Sequence, residues 1–337
     1  MRIAFRIISR KVIFIQGLIL LLACESAPCR SAGTTVKGPS VAVSKVADRY
    51  GFVSYDVQGK QLVLRTRFNT LKMAGDSRRA SFNQIVFWLS GPPVRRWGRW
   101  TMLQNDVDKM LMPLLNPSAA IKREGCRVIV LDPGHGGVDK GANDMRYGVQ
   151  EKKITLVLAN AVRDILRNYK IDVRLTRRQD KSMGLDERCR YATRVHADVF
   201  VSIHLNAAKN SGSSGIETYI LPPAGCPITA SARLTDRGRV AYPGNRHDGA
   251  NMVLGYTLQK SLLKYTRAED RGVRRSRFLV IKNAPCPAAL VECGFISNRK
   301  ERELLMDPKY QRRIARALAE GIISYLNNIK RARNINH

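Results

Sequence analysis

The chain has 337 residues, enough for about two domains of average size. With 44% hydrophobic and 25% charged residues, it is excluded from the disordered, collagen-like and disulfide-stapled peptide classes. Lysine and arginine number 58 against 27 acidic residues, and the resulting +31 calls for an anionic partner, polymer or surface without naming it.

Residues 1–11 hold Arg2, Arg6, Arg10 and Lys11 and no acid, and residues 12–23 are apolar apart from Gln16 and Gly17. A basic stretch followed by an apolar run shorter than the roughly 20 residues of a membrane-crossing helix reads as an export signal, here over residues 1–30. The expected location is therefore the periplasm or cell envelope. Leu21-Leu22-Ala23-Cys24 resembles a bacterial lipoprotein box, which leaves two outcomes open. One is lipid attachment at Cys24 and anchoring to a membrane; the other is cleavage between Ala23 and Ala32. Export argues against nucleic acid as a partner and for the phosphates and carboxylates of an envelope. Cys24, Cys29, Cys126, Cys189, Cys226, Cys286 and Cys293 include no CxxC pair, so no zinc knuckle is expected and the spacing fixes no disulfide.

Residues 31–40 read as a short linker of small residues. A small α+β domain is expected over 41–116, with a helix at 43–50, strands at 52–57, 61–67 and 84–89, and a helix at 105–114. Its pattern resembles the small stalk domains related to the N-terminal domain of copper amine oxidases. It contains no histidine, so it reads as a binding or spacing module. Residues 116–125 form the next linker.

From residue 126 to 330, β-rich runs at 128–131, 172–176, 199–204, 216–221, 278–282 and 288–292 alternate with helical patterns at 152–168, 185–196, 253–265 and 310–327. That alternation predicts a layered α/β domain. In the first helix Ile154, Val157, Leu158, Ala161, Ile165 and Leu166 are expected on one buried side.

Two histidines fall at strand ends, where α/β sheets bind ligands. His135 lies in Asp132-Pro133-Gly134-His135-Gly136-Gly137, whose glycines allow a sharp turn, and His204 in Ser202-Ile203-His204-Leu205-Asn206. Glu151 opens the following helix and can point back to the same edge. Two imidazoles and one carboxylate with open positions are the ligand set of a catalytic zinc site. Glu292, at the end of another apolar strand, is placed to take a proton from water and pass it to a leaving nitrogen. A zinc ion would lower the pKa of its water to about 7 and polarise a carbonyl. Taken singly, each residue also has an ordinary reading: a satisfied polar side chain, or a first-turn acid favoured by the helix dipole. Asp132 is read as positioning the loop, Arg188 as the partner of an acid and His196 as structural. His247, in the loop 222–251, is read either as a gate over the metal or as a bystander.

The runs 130–142, Glu151, Leu175-Thr176-Arg177, 202–207 and 290–298 resemble, in order, the motifs of the zinc-dependent N-acetylmuramoyl-L-alanine amidases over about residues 127–327. The resemblance implies a mixed β-sheet flanked by helices, with Zn2+ held by His135, Glu151 and His204 and with Glu292 as catalytic acid/base. It implies hydrolysis by zinc-activated water of the peptidoglycan amide between the lactyl group of N-acetylmuramic acid and the L-alanine of the stem peptide. Some members occlude the zinc with an inserted helix released by an activator protein; the insert at 222–251 is shorter and carries Pro222, Pro223, Pro227 and Pro243. Rival expectations are a non-catalytic peptidoglycan-binding scaffold and a zinc peptidase acting on a stem-peptide bond.

Overall fold

The structure is a computed structural model that describes residues 38–121 and 128–335, with side chains to 328. The export signal, Cys24, Cys29, the linker as far as residue 37 and Cys126 lie outside the described residues.

The strands in chain order are β1 (Ser40–Ala42), β2 (Ser54–Gln58), β3 (Gln61–Arg65), β4 (Thr70–Ala74), β5 (Ser77–Phe82), β6 (Ile85–Trp88), β7 (Val94–Arg96) and β8 (Arg99–Leu103). They continue as β9 (Val128–Pro133), β10 (Asn143–Asp144), β11 (Val149–Gln150), β12 (Asp172–Leu175), β13 (Val199–Asn206), β14 (Ile216–Ile220), β15 (Asp270–Arg275) and β16 (Ala288–Phe295). One 11-stranded sheet runs in the order β12-β9-β13-β16-β14-β15-β6-β5-β4-β3-β2. From β12 to β16 the strands are parallel, whereas β14 is antiparallel to β16 and parallel to β15, so the sheet is mixed. Beyond β15, the antiparallel meander β6 to β2 prolongs the same sheet, joined where Val273 faces Phe87. A separate small sheet pairs β1 with β8 and β8 with β7.

Alternation along the strands decides what each sheet face carries. On β9, β13 and β16 one set of residues, Ile129 and Leu131, Val199, Val201 and Ile203, and Ala289 and Val291, enters the larger core. The helices Glu151–Arg167, Asp248–Thr266 and Pro308–Ile335 cover that side. The alternate set, Val130, Phe200, Ala288 and Leu290, belongs to a smaller core under the helix Leu185–Arg194 and the turn Leu279–Lys282. Continuing that second alternation toward the strand ends brings Asp132, Ser202, His204 and Glu292 onto the same thinly covered face.

Several elements differ from the sequence expectation for physical reasons. The strand β15, Asp-Arg-Gly-Val-Arg-Arg, has almost no apolar signal, yet it is interior to the sheet. Ion pairing makes that burial tolerable: Arg271 Nε and Arg274 Nη1 lie 2.9 and 2.8 Å from Glu217 Oε2, and Arg275 donates to Ser90 Oγ at 2.6 Å beside Asp106. The apolar run at 278–282 forms a helical turn instead of a strand. Strands β4, β5, β7 and β8 carry polar and basic residues on their exposed faces, which hides them from an apolar pattern. In the helix Glu151–Arg167, Val157 is half exposed, and Thr155, Ala159 and Val162 share the buried side instead. The helix expected at 253–265 starts earlier, at Asp248, and is buried nearly all round between the sheet and Pro308–Ile335. Among the described residues no helix is long and apolar enough to cross a membrane.

Candidate metal centre and active site

Beyond the end of β9 the chain turns through His135 in the left-handed region, φ 61°, followed by Gly136 and Gly137 at 134° and 61°. The histidine itself thus adopts the conformation that its neighbouring glycines permit easily. Arg177, fully buried, fixes this turn by donating to the carbonyls of Pro133, Gly134 and Lys152 at 3.0, 2.9 and 2.7 Å. Arg188 adds bonds to the carbonyls of Pro133 and His135, both at 2.9 Å.

The loop and strand ends bring His135, Glu151 and His204 together, with one donor atom from each within 4.8 Å of the others. His135 Nε2 lies 3.2 Å from Glu151 Oε2, and His204 Nδ1 lies 2.9 Å from Glu151 Oε1. The imidazole rings meet edge to face with centroids 5.0 Å apart. Both histidines keep a solvent-facing part, 19% and 17% of the side chain, while Glu151 is buried. The backbone N–H groups of Ala142 and Leu205 donate to the Glu151 carboxylate at 2.7 and 2.9 Å, which locks its orientation. His135 Nδ1 meets Asp139 Oδ2 at 2.7 Å, the carboxylate–histidine arrangement that orients a metal-binding imidazole and raises its basicity.

Electrostatics favour a cation at this point. Burial would raise the Glu151 carboxyl, but the bonds to His135 and His204 outweigh it and hold it down at about 2. Burial would lower the His135 imidazole, but Asp139 and Glu151 on its two nitrogens raise it to about 10. A metal ion competes with that proton, so uptake releases it.

Two glycines hold the space for this cluster. A Cβ on Gly134 would sit 2.4 Å from the His204 ring, and one on Gly141, whose φ is +65°, would sit 2.5 Å from Glu151 Oε2 and 2.6 Å from the His135 ring. Gly141→Ala is therefore expected to weaken metal affinity by about 10- to 100-fold, the effect typical of disturbed ligand orientation. Competition against a chromophoric chelator measures it, and unchanged affinity would show that the ligands tolerate the displacement.

Glu292 lies on β16 directly opposite His204 on one side and Glu217 of β14 on the other. It is 3% exposed, and among the described residues no donor reaches its Oε2. Burial, then the charges of Glu151 and Glu217, push its carboxyl well above the usual range, against a smaller opposing effect of His135. Such a shift favours the protonated form of this carboxyl over that of an ordinary glutamate. Glu217 itself is satisfied by Asn206, Tyr219, Arg271 and Arg274.

Asp132 accepts from Thr176 Oγ1, Arg188 Nη1 and Ser202 Oγ at 2.6, 2.6 and 2.7 Å, tying three elements beneath the site. The other expected histidines stand apart from the cluster. His196 is exposed in the turn after Leu185–Arg194. His247 precedes the helix Asp248–Thr266, and its Nε2 donates to the carbonyl of Pro285 at 3.1 Å. The preceding loop holds only the short helices Asp236–Arg239 and Pro243–His247. Sequence reasoning gave no role to Asp139, Arg177 or Glu217. The first two lie inside the quoted motifs, and the charged run of β15 was the available signal for the third.

A family profile described as N-acetylmuramoyl-L-alanine amidase matches residues 129–324. The chain is 34% identical over 229 residues to the N-acetylmuramoyl-L-alanine amidase AmiA of Escherichia coli, covering 62% of this chain and 79% of the relative. Among solved structures, the catalytic domain of the amidase CwlV from Bacillus (Paenibacillus) polymyxa superposes with a TM-score of 0.51 at 34% identity, covering 60% of this chain and 98% of that one. The CwlD amidase of Clostridioides difficile, solved in complex with the GerS lipoprotein, superposes with a TM-score of 0.50 at 30% identity over 60% of this chain and 98% of its own.

Proposed function

The chain belongs to the N-acetylmuramoyl-L-alanine amidase family, and from that premise we propose that it cuts the amide between the lactyl group of N-acetylmuramic acid and the first L-alanine of the stem peptide, using zinc held by His135, Glu151 and His204, with Glu292 as the proton-transfer group. The observation that carries this reading is the pairing of a three-residue donor cluster with a buried carboxylate whose Oε2 has no donor among the described residues.

The donor set suits zinc: two imidazoles and a carboxylate leave a coordination position for water or substrate, as catalytic sites do. Zinc bound there would supply a Lewis acid that polarises the scissile carbonyl and acidifies water. The remaining work falls to the protein. Asp139 holds the His135 ring, and the Ala142 and Leu205 amides hold Glu151, so the three donors stay aimed at one point. In its ionised form Glu292 accepts the proton of the attacking water and then delivers it to the L-alanine nitrogen, which leaves as an amine. Its raised affinity for protons suits the second half of that exchange.

Glycan strands and their carboxylate-bearing peptides would be met after export, in keeping with the basic and apolar start of the sequence. Mass spectrometry of purified peptidoglycan digested by the protein is the direct test. Stem peptides with a free N-terminal L-alanine, together with glycan retaining an intact lactyl group, are expected. A chelator should abolish the release and added zinc should restore it. Cleavage within the stem peptide instead would make the protein a peptidase, and binding without products would make it a scaffold.

A further inference from the structure

Far from the metal cluster, β7 and β8 form a hairpin whose register sets Val94 opposite Thr101, Arg95 opposite Trp100 and Arg96 opposite Arg99. Its two-residue turn is Trp97-Gly98, with φ +46° and +76°. Two-residue turns with positive φ at both positions favour Asn or Gly first, and a tryptophan there is a costly choice. Arg96 facing Arg99 directly is a second unfavourable choice, because like charges opposed across a hairpin repel. Neither gives the fold anything: Trp97 is 96% exposed, and Arg95, Arg96 and Arg99 are exposed as well. Among the described residues no carboxylate pairs with these three arginines, and the sequence holds no acid between Asp76 and Asp106. The base of the hairpin is fixed. Trp100 packs so closely on Gly75 that a Cβ there would lie 2.2 Å from its ring, and β1 pairs with β8 from Ser40↔Leu103 to Ala42↔Thr101.

We propose that the tip of this hairpin, Trp97 flanked by Arg95, Arg96 and Arg99, docks onto a bilayer surface bearing anionic phosphate headgroups. Tryptophan is the side chain that settles at a membrane–water interface with its ring at headgroup depth, and arginines around it bind phosphate oxygens in a forked geometry. Shape favours a bilayer over a folded partner. A stable protein interface needs about 800 Å² on each side, whereas a single convex tip suits a soft, laterally continuous surface. The chain also enters the described structure beside this hairpin, because β1, the first described strand, pairs with β8, and in sequence 16 residues separate it from the basic and apolar run 1–23. Were Cys24 lipidated, a tip reaching the same bilayer would add a second attachment, one whose strength is set by charge.

Trp88, Trp97 and Trp100 are the only tryptophans of the chain, so its emission reports on this part of the molecule alone. The full chain is mixed with vesicles of phosphatidylglycerol and phosphatidylcholine, or of phosphatidylcholine alone. A blue shift that requires phosphatidylglycerol, fades with added salt and disappears in Trp97→Phe is expected. Each of Arg95→Gln, Arg96→Gln and Arg99→Gln should weaken the phosphatidylglycerol-dependent part of co-sedimentation by about five-fold. All four substitutions lie on the surface, so matched melting curves serve as the folding control. A shift that survives in Trp97→Phe, equal binding to both vesicle types, or variants that lose binding to purified sacculi but not to vesicles would each overturn the proposal, the last in favour of the cell wall.

Discussion

Glu292→Gln is expected to retain a full complement of metal while its kcat falls by about a hundred- to ten-thousand-fold, the usual contribution of a positioned acid or base. KM should change little, since the residue acts as the bond breaks and not as a substrate anchor. Thermal stability should stay level or rise. The native carboxyl is buried between two other acids, Glu151 and Glu217, and a neutral amide of the same shape removes that repulsion. The combination of metal retained, fold retained and turnover lost is what separates a proton carrier from a ligand. Loss of metal along with activity would move Glu292 into the coordinating set, and undiminished kcat would remove it from the reaction altogether.

The second large effect concerns stability. Asp132→Ala leaves the Arg188 guanidinium, 3% exposed, without its carboxylate, and strands the hydroxyls of Thr176 and Ser202. Breaking a buried pair in this way costs roughly 3–5 kcal/mol, which for a domain of this size is a fall in melting temperature of about 10 °C. Metal affinity should drop as well, because Arg188 also holds the carbonyls of Pro133 and His135. The sign of the pH dependence follows from the pKa direction. Burial alone would raise the Asp132 carboxyl, but Arg188 and the bonds from Thr176 and Ser202 bring it below its ordinary value. The stabilisation it confers is therefore present above the unfolded value of about 3.9 and is lost as pH falls through the lower native one. Asp132→Asn should accordingly flatten the acid side of the stability curve. Melts followed by circular dichroism from neutral to acid pH check both statements, and an unaltered profile would show that Asp132 is not the titrating anchor.

The candidate cluster of His135, Glu151 and His204 was legible from the sequence because its two histidines interrupt or follow apolar runs. His204 and Glu292 are each a polar break in an apolar strand that runs on, to Asn206 in β13 and Phe295 in β16, and the glycines around His135 mark a sharp turn. The residues left without a role were those whose purpose is set by partners distant in the chain. Arg177 looks like any surface arginine until its four carbonyl acceptors are seen, and Asp139 is one more loop acid until it meets the imidazole. The fold was least legible at β15. Hydrophobic periodicity finds strands that bury apolar side chains, and this one buries guanidinium groups against Glu217 and Asp106. Val157 failed for the opposite reason: an apolar residue on a helix is not obliged to face the core.

The junction of β6 with β15 gives the first third of the chain a protective duty. Without it, β15 would present a row of unsatisfied amides and carbonyls to any passing strand, and the Arg275 guanidinium would lose Ser90 and Asp106 together. Bare sheet borders of that kind template self-association. The meander moves the border outward to β2, a five-residue strand with exposed charge at Asp56, which is a poorer template.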